Sequence, residues 1–309
     1  MLAIYVVYGN SYLYTYYSVV GDSVQANEYI HSFKFLFVSG SMFATPCLFM
    51  LVGFTHTFSW HQYGESPEDR LSLKHLKDFY VNRLLRFWPM VVVTFMFAYY
   101  FVPLFGGGPV WSNYDSKVMA GCNKYWWTNF LYVNNIIPTG AHFDDKCMPW
   151  TWFIPCLVQV SFLLPFIMLC YSKLMAMGLN YVRVFFATLL VGMWSITYWV
   201  TYTKDVGSVP ITILPQTEGT NDENQVFRID FRFYNEIYMQ PWYWISFYLV
   251  GVALSCFYCE YVRQQKDDVF EGPGIFLNRL ANSLLVRAFI YAIIAFFMIG
   301  AILRQKSIV

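Results

Sequence analysis

Charged side chains are what this sequence has least of. Asp, Glu, Lys and Arg together make up 13% of its 309 residues, against ~25% in ordinary soluble domains. So few charges cannot cover a water-facing surface, which excludes a soluble enzyme. The 57% hydrophobic content excludes a disordered chain. The charges also lack a dominant sign, with 20 Lys and Arg against 19 Asp and Glu, a net +1. Without a basic face the chain has no electrostatic footprint for nucleic acid. It begins Met1-Leu2-Ala3, with neither a basic n-region nor a small-residue cleavage site behind it. Membrane insertion is therefore expected to rely on internal apolar segments. Repeats and low-complexity tracts are absent. So is a metal-ligand pattern: Cys256 and Cys259 are spaced CxxC, with no second pair or neighbouring His to complete a site. No motif implies a cofactor.

What fills the chain is apolar and aromatic. Phe, Trp and Tyr reach 21%, with 25 Tyr and 30 Phe, rings suited to membrane interfaces and to packing between helices. About 20 apolar residues cross a bilayer as a helix. Seven segments approach that: 2–20, 36–58, 87–105, 151–171, 183–203, 242–259 and 285–303. The expected fold class is all-α, one polytopic transmembrane bundle over residues 1–309. Pro46, Pro155 and Pro165 fall within the second and fourth segments and predict kinks there. Eleven of the 20 Lys and Arg lie in the loops 59–86, 172–183 and 260–287. That bias places those loops and the N-terminus inside, in the cytosol or matrix. The long loops, about 106–150 and 204–240, then face outside. Within the second of them, 215–224 reads as a turn-rich loop, and 226–233 alternates as a strand does.

The seven cysteines divide by location. Cys47, Cys156, Cys170, Cys256 and Cys259 lie in or beside apolar segments and read as small buried residues. Cys122 and Cys147 lie in the outer loop, away from those segments. A disulfide between them would close about 26 residues, contributing ~3–4 kcal/mol in the chain-entropy treatment. It requires an oxidising compartment such as the ER lumen, the cell exterior or the intermembrane space.

From Cys122 to Pro165 the chain reads CNKYWWTNFLYVNNIIPTGAHFDDKCMPWTWFIPCLVQVSFLLP. Trp126, Trp127, Trp150 and Trp152 are placed to anchor a pinned aromatic loop at the membrane interface. The pattern is Cys122, Tyr125-Trp126-Trp127-Thr128-Asn129, Leu131-Tyr132, Asn134-Asn135, Cys147 and Trp150-Thr151-Trp152. It resembles the acyltransferase-3 family of integral membrane proteins, in its nose-resistant-to-fluoxetine branch. Shorter similarities follow the family's order: Gly9-Asn10-Ser11-Tyr12-Leu13, Phe49 to Phe54, Phe79 to Arg86, Gly108 to Trp111, Tyr238 to Trp242, and Tyr248 to Gly251. Together they cover roughly residues 3–260.

The resemblance implies transfer of an acyl group from acyl-CoA or a lipid-linked donor to a hydroxyl. The family's site joins an Arg and a His on the first span to an Arg-x-x-Arg pair. An imidazole can take the proton of the acceptor, and paired guanidiniums can hold phosphates or an oxyanion. This chain departs from that set. The His position is Asn10, a carboxamide that cannot serve as base, and the first-span Arg would fall before Met1. Pro46 aligns with the second-span Asp and Val52 with its Ser. Leu157-Val158-Gln159-Val160 replaces an Asp-Met-Gln-Phe stretch, and Trp244 stands near the place of a further Arg. The family's bundle also has more spans than are read here.

Arg83 and Arg86 remain, either as a residual clamp for a phosphate or lipid headgroup or as interface arginines. His56, His61, His75 and His142 lie in or near loops and read as solvated, and Asp144 and Asp145 as a solvated acidic turn. The expectation is a catalytically inactive relative, a structural or accessory subunit of a larger membrane complex such as a mitochondrial respiratory complex. Its partners would be membrane lipids and other integral subunits. The membrane is the mitochondrial inner membrane, the ER or the cell surface. The competing expectations are an active O-acyltransferase with its base relocated to His56 or His61, and a lipid-binding or transport module.

Overall fold

The computed structural model describes residues 2–17, 38, 40–62, 72–106, 119–139, 145–204, 211–213, 227–229 and 233–266. Helices dominate it. We label them α1 (Leu2–Tyr17), α2 (Ala44–Gln62), α3 (Leu73–Met96), α4 (Phe153–Ser161), α5 (Leu164–Met177), α6 (Leu179–Lys204) and α7 (Pro241–Lys266). Among the described residues, four helical stretches are long and apolar enough to cross a membrane: Leu73–Phe105, Pro149–Met177, Leu179–Lys204 and Pro241–Arg263. They correspond to the third through sixth segments read from the sequence. α1 and α2 occupy the first two. Segment 285–303 lies outside the described residues, as do 108–111, 215–224, His142 and Asp144. Between α6 and α7, Ile211–Ile213 pairs antiparallel with Phe227–Ile229.

One boundary differs widely from the sequence reading. The third segment was expected from 87, but its helix begins at Leu73, where Ser72 Oγ accepts the His75 N–H at 3.3 Å. That is an ordinary N-cap. Lys74, Lys77, Asp78, Arg83 and Arg86 interrupt apolarity without interrupting helicity, because Leu, Lys and Arg are good helix formers. The expected loop 59–86 therefore loses its second half, and Arg83 and Arg86 sit on a helix.

The prolines start helices instead of kinking them. Pro46 and Pro155 are third in α2 and α4, and Pro165 is second in α5. A first-turn residue needs no N–H for an intrahelical bond, so proline fits there. The fourth segment is consequently two helices, broken at Phe162 and Leu163. Pro89, by contrast, lies inside α3. Beyond it, Phe97–Phe101 widens into a π turn closed by the Val102 N–H on Phe97 O, immediately ahead of Pro103.

α7 is the axis of the packing. It lies against α2 at glycines on both helices. A Cβ on Gly53 would overlap the Tyr248 carbonyl, and one on Gly251 would overlap that of Met50. Small residues let two backbones approach in lipid, where dispersion and hydrogen bonds drive association. One core joins Trp60, Leu164, Met168, Val182, Phe186 and Val252. A second joins Phe49, Leu157, Ile237, Tyr238 and Trp244, with Phe49 stacked on Trp244 at 4.8 Å. α6 leaves Val191, Trp194, Tyr198 and Trp199 exposed, an apolar surface that meets lipid.

Candidate functional site

The bundle brings four polar side chains from four helices to one point. His56 of α2 is 8% exposed. An Arg83 guanidinium N–H of α3 contacts its Nε2. Tyr248 Oη of α7 and Ser161 Oγ of α4 each lie 3.2 Å from its Nδ1. Arg83 also lies over the Phe79 ring, 5.0 Å from its centroid, a cation–π contact. No carboxylate pairs with Arg83 among the described residues.

Donor and acceptor chemistry fixes the state of the imidazole. A guanidinium has N–H donors and no acceptor, so Nε2 must present its lone pair to Arg83. The ring proton is then on Nδ1, where it is donated to the hydroxyl oxygens of Tyr248 and Ser161. Ser161 directs its own proton to Leu157 O at 2.6 Å. Both ring nitrogens thus have hydrogen-bond partners within the bundle.

A second polar region lies against the loop that carries Cys122 and Cys147. Cys122 and Cys147 are joined as a disulfide, their Cα atoms 4.3 Å apart. Carboxamides fill the space below. Asn129 Nδ2 donates to Cys147 O at 3.2 Å. Asn134 Nδ2 donates to Asn129 Oδ1 at 3.0 Å and Thr151 Oγ1 at 2.8 Å. Asn135 and Gln159 pair reciprocally, each amide nitrogen 2.9 Å from the other's oxygen, and Gln159 Nε2 also reaches Tyr132 O at 2.7 Å. Tyr132 donates its hydroxyl to Leu84 O at 2.9 Å, tying the loop to α3. Burial raises the pKa of that phenol. Irregular backbone at this depth must find partners outside a helix or sheet, and the carboxamides supply them.

Lys146 is held in the same layer. It is 2% exposed and donates from Nζ to Asn135 O at 2.6 Å. Burial pushes its pKa down to about 8, against an opposing pull from Glu236. Glu236 itself pairs with Lys204 at 3.3 Å.

The sequence-derived site residues separate in space. Arg83 turns inward to His56, and Arg86, one turn on, is exposed. Trp126 and Trp127 are exposed. Trp150 and Trp152 are half-buried, and Trp152 stacks on Trp244 at 5.5 Å. Asn10 lies on α1. The reading of the histidines as solvated is overturned for His56 and His75, both buried. The cause is that α2 runs on to Gln62 and α3 starts at Leu73, so both side chains lie between helices. Ser161 and the hydrogen-bonding roles of Tyr248, Asn134 and Gln159 were not read from the sequence. A His within an apolar segment was the available signal, since intramembrane ionisable groups rarely lack a partner.

The architecture defines an integral membrane protein built as a helical bundle beneath a disulfide-linked aromatic loop. The chain belongs to the acyltransferase-3 family, whose acyltransferase domain matches residues 1–309. Nose resistant to fluoxetine protein 6 of Caenorhabditis elegans is 23% identical over 275 residues, covering 85% of this chain and 31% of that protein. The chain thus spans about a third of the length of that curated relative. No solved structure matches it.

Proposed function

We propose that this chain is a non-catalytic member of its family, retained as a structural or accessory subunit of a larger membrane complex. The observation that carries the reading is the state of His56. In a family whose chemistry calls for a base, Asn10 holds the expected His position. Among the described residues, the buried histidine beside a guanidinium is His56, and its nitrogens are engaged by Arg83, Tyr248 and Ser161. A missing general base alone removes roughly 10²–10⁴ of rate. The cluster instead works as a polar tie between α2, α3, α4 and α7.

The bundle has seven spans, with the majority of Lys and Arg loops inside and the disulfide loop outside, in an oxidising compartment. Arg86, exposed on α3, meets a lipid headgroup. The complex resides in the mitochondrial inner membrane or in the ER and cell surface. Migration of the native protein in mild detergent on a native gel tests the reading. A single large assembly is expected, and its other components identify the membrane. Migration as a monomer or small oligomer overturns the subunit assignment.

The active-enzyme reading draws on one observation, the proximity of Arg83 and Ser161 to His56. Acyl transfer from acyl-CoA by the purified chain, abolished by His56→Ala, would establish it and defeat the non-catalytic one.

A further inference from the structure

We propose that the hairpin joining α5 to α6 is a binding site for the headgroup of an anionic phospholipid, held by Lys173 and Arg183. The site uses none of the residues around His56 and does not include Arg86. It stands whether or not the chain is catalytic.

The backbone sets the depth of the two cations. α5 ends at Met177 and α6 begins at Leu179. Gly178 alone separates them, at φ 135°, a value that glycine adopts without strain. The flanking stretches, Pro149–Met177 and Leu179–Lys204, are both long and apolar enough to cross a membrane. A one-residue turn between two spans cannot carry the chain far into water, so the tip lies at the membrane boundary. Lys173 precedes the end of α5 by four residues, and Arg183 follows the start of α6 by four. At a rise of about 1.5 Å per residue, each stands ~6 Å back from the tip. The headgroup layer is itself about 5–7 Å deep on each face. Both cations therefore sit at the depth of lipid phosphates.

The protein offers them no countercharge. No Asp or Glu occurs between Asp145 and Asp205, so neither helix of the hairpin carries an anion. Glu236 pairs with Lys204 at 3.3 Å and Glu260 with Arg263 at 3.0 Å. Lys173 and Arg183 have no carboxylate partner among the described residues, and both are exposed. Arg183 bends back toward the tip, where its Nη1 donates to Asn180 Oδ1 at 3.1 Å. That bond leaves the other guanidinium N–H groups to a ligand.

The surroundings select the ligand. A phosphodiester supplies the missing negative charge and accepts charge-assisted hydrogen bonds. A zwitterionic headgroup brings its own ammonium and leaves the two cations uncompensated. Met177 and Val184 are exposed beside the cations, an apolar surface for acyl chains that a soluble anion lacks. Exposed Tyr181 adds a ring suited to the same interfacial level.

The test is native mass spectrometry of the full chain in mild detergent, with equimolar dioleoyl phosphatidylglycerol and dioleoyl phosphatidylcholine. One cation near an anionic lipid shifts partition about fivefold, so the wild type should retain phosphatidylglycerol roughly 25-fold over phosphatidylcholine. Lys173→Gln and Arg183→Gln should each lower that ratio about fivefold, and the double variant should bring it near unity. Lys173→Arg should preserve it. Lys124→Gln, at an exposed cation of the disulfide loop, should leave it unchanged. Helical circular dichroism and a monodisperse profile establish that each variant is folded. Equal retention of the two lipids by the wild type, or an undiminished preference in the folded double variant, overturns the proposal. Displacement of phosphatidylglycerol by millimolar glycerol phosphate would make the hairpin a site for soluble anions and overturn the lipid assignment.

Discussion

The His56 cluster inside the bundle and the carboxamide layer beneath the outer loop are both buried and polar, but they satisfy their hydrogen bonds by opposite means. The cluster holds one charge, on Arg83, with an imidazole as its hydrogen-bond partner. The layer relies on amides in series, from Cys147 through Asn129 to Asn134 and from Tyr132 through Gln159 to Asn135, with the Lys146 amine added on Asn135 O. The difference reflects backbone. Around His56 the helices satisfy their own N–H and C=O groups, so side chains serve only to join helices. Under the loop the backbone is irregular, and side chains must complete it. A single lost partner should therefore hurt the two regions differently.

The largest effect is expected where the chain itself is closed. Cys122→Ser should lower stability in detergent by ~3 kcal/mol, from the released loop, as read by denaturant titration, and should leave the bundle helical by circular dichroism. An unchanged midpoint would show that the carboxamides alone hold the loop.

His56→Leu should cost about 2 kcal/mol, the range for a hydrogen bond to a charged group, because half-buried Arg83 loses its acceptor. The double variant His56→Leu with Arg83→Leu should recover most of that loss, since the stranded charge goes with its partner. Absence of coupling in this double-mutant cycle would deny the tie between α2 and α3.

Asn129→Ala should cost about 2 kcal/mol by leaving Cys147 O and the Asn134 amide unpaired. Asn129→Asp should cost a similar amount, because a carboxylate cannot donate to a carbonyl.

The last test is a pH dependence. Lys146 titrates at about 8 when folded and 10.5 when unfolded. Between those values the unfolded state binds more protons, so stability should rise with pH from about 8 towards 10.5. Below about pH 8 both states are protonated and the full burial penalty applies. The slope of the thermal midpoint against pH over that range should flatten in Lys146→Met. An unaltered slope would assign the dependence to another group.

The two regions were unequally legible. The outer loop was visible as a dense local pattern, Tyr125 to Asn135 between two cysteines, because a segment without regular structure carries its partners close in sequence. The His56 cluster was not. His56, Arg83, Ser161 and Tyr248 are separated by up to 192 positions, and each is unremarkable in its own window. Pro46, Pro155 and Pro165 were located by composition, yet whether they kink or begin a helix depended on where each helix starts. Arg83 shows the same limit. Its residue type suggested a clamp shared with Arg86, while helix geometry turned one inward and left the other outside.

The sequence by itself determined that the chain is an apolar helical membrane protein and marked its acyltransferase-3 family motifs. Both follow from local quantities, the density of charge and the order of residues along the chain. Tertiary structure alone decided that His56 meets Arg83, Tyr248 and Ser161, each from a different helix. Hydrogen-bond donors and acceptors are matched across space, so the role of a polar residue is fixed only when the helices carrying its partners have met.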